Sequence, residues 1–259
     1  MPSSDPSALP SSPASPSPAA DPVAAEPAVS ESSAPQPAPR TGGEILVDCL
    51  AANSVDRVFC IPGESYLAAL DAFVDAGIPL TVGRQEGGVA FMAEAWGKMT
   101  GRPGICFVTR GPGAANAAAG VHVAQQDSTP MILFVGQIGR DMRGRDAFQE
   151  VDFVRMFSGI AKWAAEIDTA ARIPEMVARA FATATSGRPG PVVLALPEDM
   201  LREAACADAV AAAAAPEPAP SSVEIARFAE LLAGAERPIA IAGGSRWSQA
   251  AVAALVGAA

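Results

Sequence analysis

The chain runs to 259 residues, of which half are apolar and only 18% charged, so it can bury the core of one large domain or of two smaller ones. A formal net charge of −10 with no basic stripe excludes a nucleic-acid partner, because phosphate neutralisation needs clustered Lys and Arg. No apolar run approaches the roughly 20 residues that span a bilayer, so a membrane-crossing helix is excluded and a soluble protein is predicted.

Residues 1–40 are built almost wholly from Pro, Ala and Ser and hold eleven of the 24 prolines. Such a segment cannot bury enough apolar surface to offset its ordering entropy, so a disordered tail is expected there. It lacks the basic and apolar regions of a secretory signal. From Thr41 the texture changes. Glu44–Asn53 has helical apolar spacing, Arg57–Ile61 is β-rich and ends at Pro62-Gly63, and Tyr66–Asp75 reads as a helix. Leu80–Gly83 follows as a strand, Gly88–Thr100 as a helix stopped by Gly101, and Ile105–Thr109 as a strand. Gly111-Pro112-Gly113 opens a helix to about Gln126, and Met131–Val135 is again a strand. An irregular stretch precedes helix Ile173–Thr185, a turn over Ser186–Pro191 and strand Val192–Leu196.

Strands alternating with helices at this spacing predict βαβ units and an α/β fold, a three-layer parallel sheet with helices on both faces over 41–202. An Ala/Pro linker is expected over 203–221. Helix Val223–Leu232, strand Pro238–Ala242 and Gly243-Gly244 then begin a second α/β domain over 222–259. That unit breaks off in a helical pattern at Ala259, so the chain reads as cut short.

Cys49, Cys60, Cys106 and Cys206 form no CxxC pair and have no histidine cluster beside them, so zinc and redox motifs are not expected, nor any metal site. Cys60 and Cys106 lie in apolar runs and read as buried free thiols, which suits a reducing cytoplasmic setting. His122, the single histidine, has no partner motif and reads as structural. Gly111-Pro112-Gly113 has the context of a dinucleotide fingerprint, but Asn116 stands at the third-glycine position and Asp127 comes too early for the ribose acid. Glu86, taken alone, is an acid at a helix start, favoured by the helix dipole.

The motifs together say more than any one of them. In order and spacing the chain carries Pro62-Gly63, Glu86, Met92-Ala93, Thr100-Gly101-Arg102-Pro103-Gly104, and Gly111-Pro112-Gly113 with Asn116. It continues with Asp127-Ser128-Thr129-Pro130, Gly136-Gln137, Asp146-Ala147-Phe148-Gln149-Glu150 and Ser186-Gly187-Arg188-Pro189-Gly190-Pro191. Over Thr41–Asp199 this resembles the pyrimidine-binding domain of acetolactate synthase-like thiamine-diphosphate enzymes, and Pro238–Gly244 is similar to the start of that family's central domain.

The resemblance implies a cofactor, thiamine diphosphate, and roles for its neighbours. Glu86 would bond N1′ of the aminopyrimidine and favour the imino tautomer, whose 4′ nitrogen takes the proton from C2. Burial among apolar neighbours would favour a protonated Glu86 and suit it to share that proton. Pro62, Gly63 and Asn116 would line the pyrimidine. Phe148 and Gln149 would shape the substrate pocket, with Gln149 counted beside Glu86 as catalytic. Arg188 matches an arginine that touches flavin in true acetolactate synthases, which leaves FAD open as a second cofactor, although the same Gly-Arg-Pro-Gly-Pro turn occurs in relatives without flavin. Magnesium would be held by a Gly-Asp-Gly motif in a C-terminal domain, and no Gly-Asp-Gly occurs here. The implied substrate is a 2-keto acid, and the implied assembly a homo-oligomer with the cofactor between subunits.

Three departures bear on the substrate. Gln85 replaces the usual histidine, and Gln125-Gln126 with Gly139-Arg140-Asp141 fit a broader group of these enzymes. Glu198 stands where acetolactate synthases carry a pocket lysine, a reversal that would weaken attraction for a keto-acid carboxylate. Acetolactate synthase-like carboligation leads, beside another decarboxylase or lyase of the family, a split enzyme working with a separate subunit, and a non-catalytic module that keeps the fold.

Overall fold

A computed structural model describes residues 38–216, 218–244 and 247–258. The expected tail lies outside the described residues except for its last three. The elements in chain order are β1 (Arg40–Thr41), α1 (Gly42–Ala52), β2 (Val58–Cys60), α2 (Leu67–Ala76), β3 (Leu80–Val82) and α3 (Glu86–Thr100). Next come β4 (Gly104–Val108), α4 (Gly111–Gln126), β5 (Met131–Gln137), α5 (Phe153–Phe157), β6 (Trp163–Glu166) and α6 (Ile173–Thr185). The series ends with β7 (Pro191–Pro197), α7 (Glu198–Arg202), β8 (Ala204–Ala205), α8 (Ser222–Ala233) and α9 (Gln249–Ala258).

Six strands form one parallel sheet in the order β3-β2-β4-β5-β7-β6. Successive side chains of a strand point to opposite faces, and the central strands are apolar on both, as a sheet covered twice requires. Val58, Cys60, Ile105, Phe107, Ile132, Phe134, Val192 and Leu194 pack with α1, α2 and α6. Phe59, Cys106, Val108, Met131, Leu133, Val135 and Val193 pack instead with α3, α4 and α5. This is the predicted three-layer architecture. Phe107 stacks on Phe134 at 4.6 Å between ring centroids and takes Phe73 edge-on at 5.5 Å, which locks α2 to the sheet.

The helix ends are set by local chemistry. Thr41 caps α1: its hydroxyl accepts from the Glu44 N–H at 3.2 Å while the Glu44 carboxylate accepts from the Thr41 N–H at 2.7 Å, a reciprocal capping box. Gly101, left-handed at φ 71°, stops α3 as its sequence predicts.

Two elements differ from the sequence reading. The stretch read as irregular contains β6, which pairs with β7 from Trp163↔Val192 to Glu166↔Ala195. Its alanines carry little β propensity, and the strand exists because β7 offers an edge. Conversely, no strand forms at Pro238–Ala242. Ile239 and Ile241 are 88% and 91% exposed, and no neighbouring strand among the described residues takes their backbone groups. The first half of the 203–221 stretch is tied down: β8 pairs antiparallel with β1, Asn53 Nδ2 donates to the Val210 carbonyl, and Ala212 N–H donates to Asn53 Oδ1. Helix α8 buries none of its residues.

Candidate functional site

In an open parallel sheet a ligand crevice lies beyond the carboxyl ends of the strands, where the strand order reverses. Here the chain moves outward from β2 to β3 and then crosses back to β4 on the other side of β2. The reversal therefore falls between β2 and β4. Three strand ends meet there: Ile61-Pro62-Gly63 after β2, Gly83–Glu86 after β3, and Thr109–Gly111 after β4.

Glu86 is the first residue of α3 and is half-buried. Gln85 caps the helix, its side-chain oxygen accepting from the Gly88 N–H at 2.9 Å, which leaves the Glu86 carboxylate free to reach across the crevice. There Asn116, in the second turn of α4, donates its amide to Glu86 Oε2 at 3.0 Å. Residues thirty positions apart, placed on separate helices by separate strands, thus share one hydrogen bond at the switch point. The expectation that Glu86 is buried among apolar neighbours is not met within the single chain. Pro62, Asn116 and Phe148 are exposed as well, so the site is open on one side.

Gly63 is required by a close approach. A Cβ there would stand 2.6 Å from Thr109 Cβ, and Thr109 Oγ1 in turn bonds Ser65 Oγ at 2.9 Å. The Tyr66 hydroxyl donates to the Ile61 carbonyl from inside the core, and burial pushes its titration well above the ordinary tyrosine range. The strand end that would line a ligand is thus held from beneath. Gly111 N–H donates to the Gln149 carbonyl at 3.1 Å, which brings the Phe148–Gln149 loop beside the same crevice.

Sequence reasoning passed over Arg110. Its side chain, 7% exposed, lies between two acids: Nη1 donates to Glu64 Oε1 at 2.8 Å and Nη2 to Glu198 Oε2 at 2.6 Å, while Nε is buried without a partner among the described residues. Glu198, the acid at the position of the pocket lysine of acetolactate synthases, is ion-paired to Arg110. An arginine directly between an apolar strand and Gly111-Pro112-Gly113 was the available signal.

Arg188 is not brought to this site. Its Nε donates to Ser128 Oγ at 2.6 Å and its Nη2 to the Gln125 and Gln126 carbonyls at 3.0 Å, closing the C-terminus of α4 at the opposite end of the strands. His122 is exposed and, among the described residues, shares a hydrogen bond with Gln126 at 3.4 Å. Among the described residues no cluster of three His, Cys, Asp or Glu could hold a metal ion, and no helix is long and apolar enough to cross a membrane.

Residues 40–156 match the family described as thiamine pyrophosphate enzyme, N-terminal TPP binding domain. Residues 40–156 thus form a domain of the thiamine pyrophosphate enzyme family. Among curated relatives, it is 38% identical over 181 residues to the acetolactate synthase of Bacillus subtilis (strain 168), covering 70% of this chain and 32% of the relative. It is 36% identical over 222 residues to the mitochondrial acetolactate synthase catalytic subunit of Aspergillus candidus, covering 79% and 31%. With the chloroplastic acetolactate synthase of Arabidopsis thaliana it shares 39% identity over 168 residues, covering 64% and 25%. The chain thus spans about a third or less of the length of these relatives. The family's matched segment takes in Pro62, Gly63, Glu86, Asn116, Phe148 and Gln149, and the crevice residues Arg110 and Gly111 with them.

Proposed function

We propose that this chain supplies the pyrimidine-binding part of a thiamine-diphosphate enzyme that decarboxylates and ligates 2-keto acids in the manner of acetolactate synthase, with Glu86 as the cofactor-activating acid. The observation that carries the reading is the Asn116–Glu86 hydrogen bond at the switch point. A carboxylate fixed by an amide donor on one oxygen keeps its other oxygen for a ring nitrogen. Pro62 and Gly63, with no side chain or a rigid one, let a flat ring approach the backbone. Asn116 would orient Glu86, and Glu86 would hold the proton shared with N1′. Thiamine diphosphate, when bound, supplies an acidic C2 carbon and the electron sink for decarboxylation. Phe148 and Gln149 would bound the side where the keto acid enters.

The open face of the site favours a second subunit as its cover, so a homo-oligomer is part of the proposal. Magnesium belongs with the diphosphate and has no ligand set among the described residues. A flavin stays open as a second cofactor, although Arg188 spends Nε and Nη2 on the end of α4. The free cysteines support a reducing, cytoplasmic location.

Exchange of the C2 proton, followed by NMR in heavy water on the holoenzyme, isolates Glu86 from substrate chemistry. Glu86→Gln keeps the Asn116 contact available but cannot trade a proton with N1′. It should slow exchange by roughly 10²–10⁴-fold, the scale of acid–base assistance, with the fold intact. If Glu86 serves only the helix dipole, exchange will match wild type and stability will fall by less than about 1 kcal/mol.

A further inference from the structure

The loop from Arg143 to Val151 combines features that folding alone disfavours. Asp146 and Gln149, neither of them glycine, are left-handed at φ 55° and 64°. Phe148, between them, is 73% exposed although it is large and apolar. The bonds that offset these costs all fall on the backbone around Phe148. Gly144 N–H donates to Glu150 Oε1 at 2.6 Å and Ala147 N–H to Glu150 Oε2 at 3.1 Å, so one carboxylate clasps both sides of the bend. Glu150 N–H returns a bond to the Ala147 carbonyl at 2.9 Å. On the far side the Gln149 carbonyl accepts from Gly111 N–H at 3.1 Å, and the Val151 carbonyl accepts from the buried Gln137 amide at 2.8 Å. The same backbone donors, Gly144 foremost, hold the Glu150 carboxyl below its ordinary range.

We propose that Glu150 is a positioning residue, whose carboxylate clasps Gly144 and Ala147 so that the strained loop presents the Phe148 ring, already ordered, as an apolar wall beside the Glu86–Asn116 crevice. The assignment rests on the reading of that crevice as the cofactor and substrate site. Among the described residues, Phe148 enters neither core cluster. Pre-ordering an exposed ring costs the free protein and repays only when a ligand meets it.

The test needs no ligand, so it stands apart from the test of Glu86. Phenylalanines are replaced by 4-fluorophenylalanine, and the Phe148 fluorine signal is identified by its loss in Phe148→Leu. Amide exchange is read at Gly144 and Ala147. In Glu150→Ala the Phe148 line should narrow to that of a freely moving ring, and protection at the two amides should drop about tenfold or more. The melting temperature should move by less than about 2 °C. Glu150→Gln, nearly isosteric with one acceptor oxygen lost, should fall between wild type and Glu150→Ala. An unchanged Phe148 line and unchanged amides in both variants overturn the proposal. So does a melting temperature lowered by several degrees with faster exchange throughout β4 and β5, because Glu150 would then serve the fold and not the loop.

Discussion

Single residues divide by whether their partners are near in sequence. Glu86 and Asn116 sit in motifs read together as a block, and the fold joins the pair by one hydrogen bond beside the strand end that carries Pro62 and Gly63. Arg110 was not legible, because its partners Glu64 and Glu198 lie 46 and 88 positions away and nothing local marks either as its acceptor. The half-burial of Glu86 was also illegible, since apolar neighbours in sequence do not say which side of a helix start faces solvent. The cysteines, by contrast, followed their local texture. Cys49, Cys60 and Cys106 are buried free thiols, and burial pushes each thiol's titration upward, which suppresses the reactive thiolate. Cys206 is exposed. Brief treatment of the native protein with a maleimide should therefore add a single label, at Cys206, and treatment in denaturant should label all four cysteines, counted by intact mass. Rapid native labelling of Cys60 or Cys106 would show that the central strands open.

At the scale of elements, helices were the most legible, because their caps and periodicity are written within a few residues. Strand β6 escaped since Trp163-Ala164-Ala165-Glu166 has no alternation to read and owes its form to pairing with β7. Pro238–Ala242 shows the reverse, an apolar run that reads as a strand and has no neighbouring strand among the described residues. The start of α1 tests the local logic. Thr41→Ala removes the hydroxyl of the capping box and should lower stability by about 1 kcal/mol at neutral pH, measured by urea denaturation. The Thr41 backbone N–H, and then its hydroxyl, hold the Glu44 carboxyl below the ordinary carboxylate range. A carboxyl depressed on folding stabilises above its unfolded value of about 4.3 and ceases to do so as pH falls through its folded value. The gap between wild type and Thr41→Ala should accordingly narrow below about pH 4, and it should not close, because the Thr41 hydroxyl still accepts from the Glu44 N–H. A gap that widens on acidification would contradict the capping account.

For the whole molecule, the sheet order was only partly implied by the sequence: alternating elements announce a parallel sheet, but not which strands neighbour which. The order places the ends of β2, β4 and β7 along one edge, and the Glu64–Arg110–Glu198 triad ties those three ends together. The two arms of the triad are unequal. The Glu64 side chain is 68% exposed, so its pairing is heavily screened, whereas the Glu198 side chain is 30% exposed and meets a guanidinium almost fully withdrawn from water. Glu64→Ala should cost less than about 1 kcal/mol, as exposed ion pairs do. Glu198→Ala leaves a buried cation with one donor unmet and an unpartnered Nε beside it, and should cost about 1–3 kcal/mol. Raising the salt concentration should shrink the first cost further and barely change the second, because screening acts on exposed charge. Denaturation curves for both variants at low and high salt decide the matter. If the two cost the same, Arg110 is more accessible than its burial implies. If Glu198→Ala costs nothing, the triad does not brace the carboxyl edge on which the site is built.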